Sequence, residues 1–275
     1  MTKLTGERPV EGRTPDSLLA LHDAGYREVL ARAGEGRILD VGCGVGVETA
    51  RFCGVGRSVV GVDYNAETAT LARAEFGPGG PRGTDAEFVA MDGAQLGFAS
   101  RTFTTVCSSH IIEHFTMPEL HVAELARVCL DDGAVFVITP NRPADFENPF
   151  HVYEFEADEL ASMLRLFFGD VQVLGLEGDA ELKADFAARR VQGERLLKLD
   201  PLELRRRVPR SWYVWSYEHA LPLVYRALGA KNNGIGSGLD HSHFFCTETI
   251  TETTPALLAI ARSPRRFGER GVPPA

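Results

Sequence analysis

Ile38-Leu39-Asp40-Val41-Gly42-Cys43-Gly44-Val45-Gly46 is the stretch whose reading decides the fold of this chain. It reads as a short buried strand running into a turn with glycine at every second position. Glycine has no Cβ, so the backbone can bend sharply and lie close to a ligand. A helix over Val47–Phe52 is expected next. Strand, glycine turn and helix together form the nucleotide-binding crossover of doubly wound α/β folds. Spacing then discriminates between ligands. The dinucleotide pattern G-x-G-x-x-G fails here, because its last position falls on Val47 or on Thr49, depending on the first glycine chosen. What stands from Asp40 to Gly46 is D-x-G-x-G-x-G.

Outward from that stretch, strands and helices alternate. Leu18, Leu21, Tyr26, Val29 and Leu30 form a helical stripe within Asp16–Ala33. Ser58–Val62 reads as a second strand closed by Asp63, and Ala66–Phe76 as a helix stopped by Gly77-Pro78-Gly79-Gly80-Pro81. Glu87–Met91 is a third strand closed by Asp92-Gly93, and Phe103–Ser108 a fourth. The helix Pro118–Leu130 turns its Leu120, Ala123, Leu125 and Val128 inward, and Asp131-Asp132-Gly133 is a turn into a fifth strand, Ala134–Thr139. A helix Ala157–Phe168, a strand Val171–Leu176 and a final strand Ala256–Ala261 follow. Such alternation implies a mostly parallel sheet with right-handed crossovers. The pattern changes after Gly178. Residues 1–178 and 251–264 are therefore expected as the core, and 179–250 as a helical insertion that caps the substrate face.

Composition narrows the class. With 275 residues and 44% hydrophobic content, one large α/β domain with an inserted subdomain is expected. No apolar run is long enough to span a membrane, and the polar stretch Met1–Arg13 has no signal-peptide core, so a cytoplasmic protein without membrane insertion is expected. Cys43, Cys53, Cys107, Cys129 and Cys246 contain no C-x-x-C pair, which argues against a disulfide framework and a zinc site. The net charge of −9 argues against nucleic acid as a partner. Arg205, Arg206, Arg207 and Arg210 form a local basic cluster, read first as a solvated helix face and alternatively as a site for an anionic substrate group.

In open α/β sheets ligands bind beyond the carboxyl ends of the strands, and the acidic and glycine residues fall there strand by strand. Asp63, beside Tyr64, can accept from vicinal ribose hydroxyls. Asp92, beside Gly93, can accept from an adenine amine, with Met91 against the base. Gly42 and Gly44 permit close approach, and Ser108 and Ser109 complete the pocket.

The glycine loop resembles the S-adenosylmethionine loop of class I methyltransferases. Tyr26, Asp63, Asp92, Ile112-Glu113-His114, Glu124-Leu125-Ala126-Arg127-Val128 and Thr139-Pro140-Asn141 extend the resemblance to the type 11, or ubiquinone-methyltransferase-like, group. Asn148-Pro149-Phe150-His151-Val152-Tyr153-Glu154-Phe155 looks like a segment common in bacterial members associated with glycan or natural-product assembly. The resemblance covers roughly residues 16–178 and the last strand. It implies a Rossmann-like, doubly wound α/β fold with a seven-stranded sheet whose last strand is antiparallel. It also implies S-adenosylmethionine as cofactor, held by Asp40, Gly42, Gly44, Asp63 and Asp92. Two departures stand out: Thr104 where the group has Asp, and Asp131-Asp132-Gly133 where it has Pro-Gly-Gly.

Methyl transfer from a sulfonium is an in-line displacement that depends on alignment and exclusion of water. A hydroxyl acceptor also calls for a base, and histidine suits neutral pH. His110 and His114, past the fourth strand, and His151, past the fifth, are the catalytic candidates, with Glu113 as a supporting carboxylate. No metal is expected; His241 and His243, beside Asp240, read as polar loop residues. The aromatic run Trp212–Tyr217 packs in the insertion or faces the cleft as a stacking surface. The expected activity is methylation of a small molecule, with a hydroxyl of a saccharide or glycosylated metabolite foremost. The alternatives are N- or C-methylation of a natural-product or quinone-like acceptor, and a non-catalytic S-adenosylmethionine-binding scaffold. Assembly into a homo-oligomer stays open.

Overall fold

The computed structural model describes residues 14–145, 151–197 and 236–266. Its helices are α1 (Asp16–Arg32), α2 (Ala66–Phe76), α3 (Pro118–Val128), α4 (Ala157–Phe167) and α5 (Ala180–Leu197). Its strands are β1 (Gly36–Val41), β2 (Arg57–Asp63), β3 (Glu87–Ala90), β4 (Phe103–Ser109), β5 (Cys129–Pro140), β6 (Phe168–Gly178), β7 (Phe244–Thr247) and β8 (Ala256–Pro264). They form one sheet in the order β3-β2-β1-β4-β5-β8-β6-β7. The first five strands in that order are parallel, whereas β8 runs antiparallel to both β5 and β6.

This is a Rossmann-like fold with one strand more than expected among the described residues. The extra strand is β7, an edge strand antiparallel to β6. It comes from 179–250, expected as a helical insertion, whose described residues form α5, a 3-10 turn at His241–His243 and β7. The basic cluster Arg205–Arg210, the aromatic run Trp212–Tyr217 and the segment Asn148–Phe150 lie outside the described residues. No helix among the described residues is long and apolar enough to cross a membrane.

Alternation along the strands separates two apolar layers, because successive side chains point to opposite faces. On one face Leu39 and Val41 of β1 pack with Val122, Leu125, Leu160 and Leu164 of α3 and α4. On the other, Ile38 meets Leu21, Val29, Ala72 and Phe76 of α1 and α2. The inner face of α3 differs from the expected one. Leu120 is exposed, and His121, Val122, Leu125, Ala126 and Val128 are buried. Pro118 occupies the first turn, so the buried stripe starts there and runs at helical spacing through His121, Val122 and Leu125.

Two other expectations are corrected. The helix over Val47–Phe52 is only a 3-10 turn, Thr49–Phe52. Gly54 and Gly56 follow at once and Arg57 begins β2, so there is no length for more. Asp131-Asp132-Gly133 lies within β5 rather than in a turn before it. Phe103 pairs with Cys129 and Thr105 with Ala134, so the extra residues form an irregularity in the β4–β5 ladder. Asp131 is exposed there and bridges Arg101 and Arg266.

The order reverses between β1 and β4, which leaves a crevice at their carboxyl ends. The turn that enters it is left-handed at Gly42, Gly44 and Gly46, with φ of +83°, +53° and +85°. A Cβ on Gly42 would lie 1.6 Å from Ile111 Cδ1. Beneath the turn, on the α1 side, Asp40 is fully buried. Its carboxylate accepts from Tyr26 Oη at 3.1 and 3.2 Å and from Thr49 Oγ1 at 2.5 Å. Burial pushes its carboxyl up to about 7, while the Thr49 and Tyr26 hydroxyls pull the other way.

Gly42→Ala is expected to lose about 2–4 kcal/mol of stability through left-handed strain and overpacking against Ile111; a denaturation midpoint equal to wild type would refute the packing argument. Asp40 has a native pKa above its unfolded value. Its contribution is therefore complete below the unfolded pKa of about 4 and is lost as pH rises through about 7. Asp40→Asn removes that dependence, so stability relative to wild type should shift in the variant's favour across this window. A difference that stays flat with pH would contradict it.

Candidate functional site

The glycine turn is tied down on its β2 side. Gly42 and Cys43 both donate backbone N–H bonds to Val62 O, at 2.7 and 2.9 Å. Gly44 N–H donates to Asp63 Oδ2 at 3.1 Å, and Asn65 N–H to Asp63 Oδ1 at 2.8 Å. Asp63 is mostly buried between these donors. A Cβ on Gly44 would meet nothing within 4 Å among the described residues, whereas one on Gly46 would strike Phe88. Gly44 therefore faces open space, and Gly46 is packed. Tyr64, next to Asp63, is 82% exposed at the rim.

The loop after β3 supplies the next wall. Asp92 is exposed, and its Oδ1 accepts from Ala94 N–H at 2.9 Å. Met91 is half-buried, with Sδ 3.2 Å from Gly97 N. Gly93 is buried, and a Cβ there would lie 3.1 Å from Val41 Cγ1 and 3.2 Å from both His121 Nδ1 and Phe115 Cζ.

Two residues expected to touch the cofactor face away from the crevice. Asp40 is enclosed with Tyr26 and Thr49 and supports the turn from below. Ser108 is fully buried with its Oγ 2.8 Å from His121 Nε2. The reason is the strand alternation, which turns neighbouring positions to opposite faces. Ser109, next along β4, is also buried, but its hydroxyl has no hydrogen-bond partner among the described residues.

The three candidate histidines are brought together around Glu113. That residue is buried in the 3-10 turn Ile112–His114, immediately past β4. Its Oε2 accepts from Thr139 Oγ1 at 3.0 Å, and its Oε1 lies 3.6 Å from His110 Nδ1. Its backbone carbonyl accepts from Val152 and Tyr153 N–H, at 2.8 and 3.0 Å, which docks the His151 segment onto it. Burial raises the Glu113 carboxyl, but His110, 3.6 Å away, and the charges of His114 and His151 outweigh that and hold it at about 2. Glu113 is thus a permanent anion beneath three imidazoles.

His151 and His114 meet edge to face with ring centroids 5.4 Å apart. His151 Nδ1 is 2.6 Å from Asp145 Oδ2. Burial opposes the imidazolium, but the Asp145 hydrogen bond and charge win, so the His151 pKa is raised. His110 holds a left-handed φ of +54°, a strained conformation for a non-glycine residue. Its Nε2 is buried without a hydrogen-bond partner among the described residues, and its ring lies 4.2 Å from that of His22. His110 precedes Ile111, whose side chain packs on Gly42, so the histidine cluster adjoins the glycine turn. Donor atoms of Glu113, His114 and His151 lie within 4.8 Å of one another, as do those of Asp145, His151 and Glu154, a spacing that a cation would also fit. His241 and His243 face separate carboxylates, Asp23 at 3.1 Å and Asp179 at 2.8 Å.

Three residues of this region escaped the reading of the sequence. His121 carries a signal that was available, since it lies on the helical stripe that begins at Pro118. His22 sits on α1 and Asp145 on the loop after β5. Neither shares a motif with the residue it meets, so only the fold pairs them.

The comparisons with known proteins agree with this geometry. A family model described as a methyltransferase domain matches residues 39–137, from β1 through β5. A probable S-adenosylmethionine-dependent methyltransferase of Mycolicibacterium smegmatis is 31% identical over 192 residues, covering 66% of this chain and 72% of that protein. One of the same description from Mycobacterium tuberculosis is 31% identical over 181 residues, covering 63% of this chain, and the chain spans 64% of its length. Among solved structures, a SAM-dependent methyltransferase from Thermotoga maritima, titled a possible histamine N-methyltransferase, aligns with a TM-score of 0.55 at 14% identity, over 90% of this chain and 91% of that one. That last likeness is one of fold. With the glycine turn, the sheet order and these relatives in agreement, the chain belongs to the S-adenosylmethionine-dependent methyltransferase family, in its type 11 group.

Proposed function

We propose that this protein methylates a hydroxyl group of a small molecule, a saccharide or glycosylated metabolite, in the cytoplasm, using S-adenosylmethionine. The observation that carries the cofactor part is the open space over Gly44 beside the Asp63 carboxylate. A ligand there can lie flat on the turn while Asp63 accepts from its ribose hydroxyls. Asp92 and Met91 stand at the end of β3, where the base would rest. The cofactor supplies an electrophilic methyl group on a sulfonium.

The chain's own residues then have separable tasks. The glycine turn and Asp63 hold one reactant, and the histidine cluster receives the other, which is the positioning that an in-line displacement needs. As the new C–O bond forms and the C–S bond breaks, the acceptor proton must leave. His151 takes it at Nε2, the nitrogen opposite the one facing Asp145, whose carboxylate orients the ring and favours the imidazolium. Glu113 stays ionised below and adds to that stabilisation. The buried Ser109 hydroxyl and His110 Nε2 offer polar contacts to a hydroxylated acceptor.

Calorimetry with S-adenosylmethionine and S-adenosylhomocysteine should show binding, and Asp63→Ala should weaken it by at least about tenfold, the scale of hydrogen bonds to a charged group. Equal affinity in wild type and variant would reject the site. For the chemistry, a host extract incubated with enzyme and methyl-deuterated cofactor should yield a product heavier by one labelled methyl. His151→Ala should abolish that product with cofactor affinity intact, and near-normal turnover would exclude His151 as the base.

A further inference from the structure

His121 has no part in the chemistry above, yet it is the buried histidine with the most completely satisfied surroundings. It sits on the apolar inner face of α3 with no exposure at all. An imidazole in that position costs stability unless both nitrogens are bonded. Both are: Nδ1 lies 2.9 Å from Gly93 O, and Nε2 lies 2.8 Å from Ser108 Oγ. A carbonyl oxygen can only accept, so Nδ1 carries the hydrogen. Burial holds the His121 pKa down at about 4, so the ring is neutral and Nε2 accepts from the Ser108 hydroxyl. Phe115 stacks on the ring at 4.5 Å, tilted by 13°.

The two groups joined by this ring belong to distant strands. β3 and β4 are separated in the sheet by β2 and β1, so their ends stand three inter-strand steps of ~4.8 Å apart. The loop after β3 must fold back over β1 to reach α3. Gly93 packs closely against Val41, Phe115 and the His121 ring, and a Cβ there would press on all three. Ser108 in turn pairs with Val41, the residue before the glycine turn. One imidazole thus ties the loop that carries Asp92 to the strand beside the glycine turn.

We propose that His121 is a positioning residue for the nucleoside half of the cofactor: seated on Ser108 Oγ, it holds the Asp92–Gly93 loop in place through its bond to Gly93 O. This rests on the cofactor reading given above. It assigns a binding role, acting through other residues, to a side chain that otherwise reads as core.

The test uses the full chain and two ligands, S-adenosylhomocysteine and 5′-methylthioadenosine; the second keeps the nucleoside and lacks the amino acid. His121→Asn retains a donor for Gly93 O, His121→Gln reaches toward Ser108 only, and His121→Leu retains neither. The expected result is that Asn binds both ligands at least about tenfold more tightly than Gln or Leu, although all three variants melt below wild type. Where Leu fails to fold, the Asn and Gln pair decides. Affinities that simply follow melting temperature, or are equal in Asn and Gln, overturn the proposal and leave the cofactor site standing. Loss of affinity for S-adenosylhomocysteine without loss for 5′-methylthioadenosine also overturns it. Wild type that binds neither ligand brings down the cofactor reading, and this inference with it.

Discussion

The turn from Gly42 to Gly46 must run through left-handed backbone while lying across the end of β2, and the rest of the site is arranged around that requirement. Three glycines make the conformation accessible, but they do not by themselves hold it. Val62 O and the Asp63 carboxylate take the turn's backbone N–H groups from one side. Asp40, with Tyr26 and Thr49, fills the space below, and Ile111 closes over Gly42. What remains open is the surface above Gly44. The turn is therefore a rigid floor, and its rigidity comes from neighbours on α1, β2 and the segment after β4.

The same logic separates support from contact among the polar residues. Asp40, Ser108 and His121 have no exposure and spend their hydrogen bonds on protein. Asp63 and Asp92 stand at the carboxyl ends of β2 and β3, and the Glu113 cluster follows β4. Interior dipoles are bonded in pairs because an unmatched one costs more than a hydrogen bond returns. Of the five unmatched buried side-chain atoms among the described residues, Ser109 Oγ, His110 Nε2 and Glu113 Oε1 belong to one short segment at the end of β4 and just past it. Together with the strained backbone of His110, they mark the part of the structure that the fold alone does not explain.

Electrostatics ties that segment to the loop after β5. Glu113 stays ionised despite burial because three imidazoles surround it, and its carbonyl anchors the backbone at Val152 and Tyr153. Asp145 then fixes one face of His151. Two segments that are separate in the chain are thereby held together.

Much of this was legible in the chain read alone. Strand and helix identities follow from local periodicity, and the placement of Asp63, Asp92 and the glycines at strand ends follows from topology, since a parallel sheet brings all its carboxyl ends to one edge. The one-turn crossover after Gly46, the strand β7 and the irregularity at Asp131–Gly133 were not legible, because propensity and turn signals are overridden there by pairing with distant strands. Only the tertiary structure decided which way each polar side chain faces and whom it meets: Asp40 toward Tyr26, Ser108 toward His121, and His110, His114 and His151 around one buried carboxylate. Local pattern sets where a residue lies along its element, whereas its partners are chosen by packing between elements far apart in the chain.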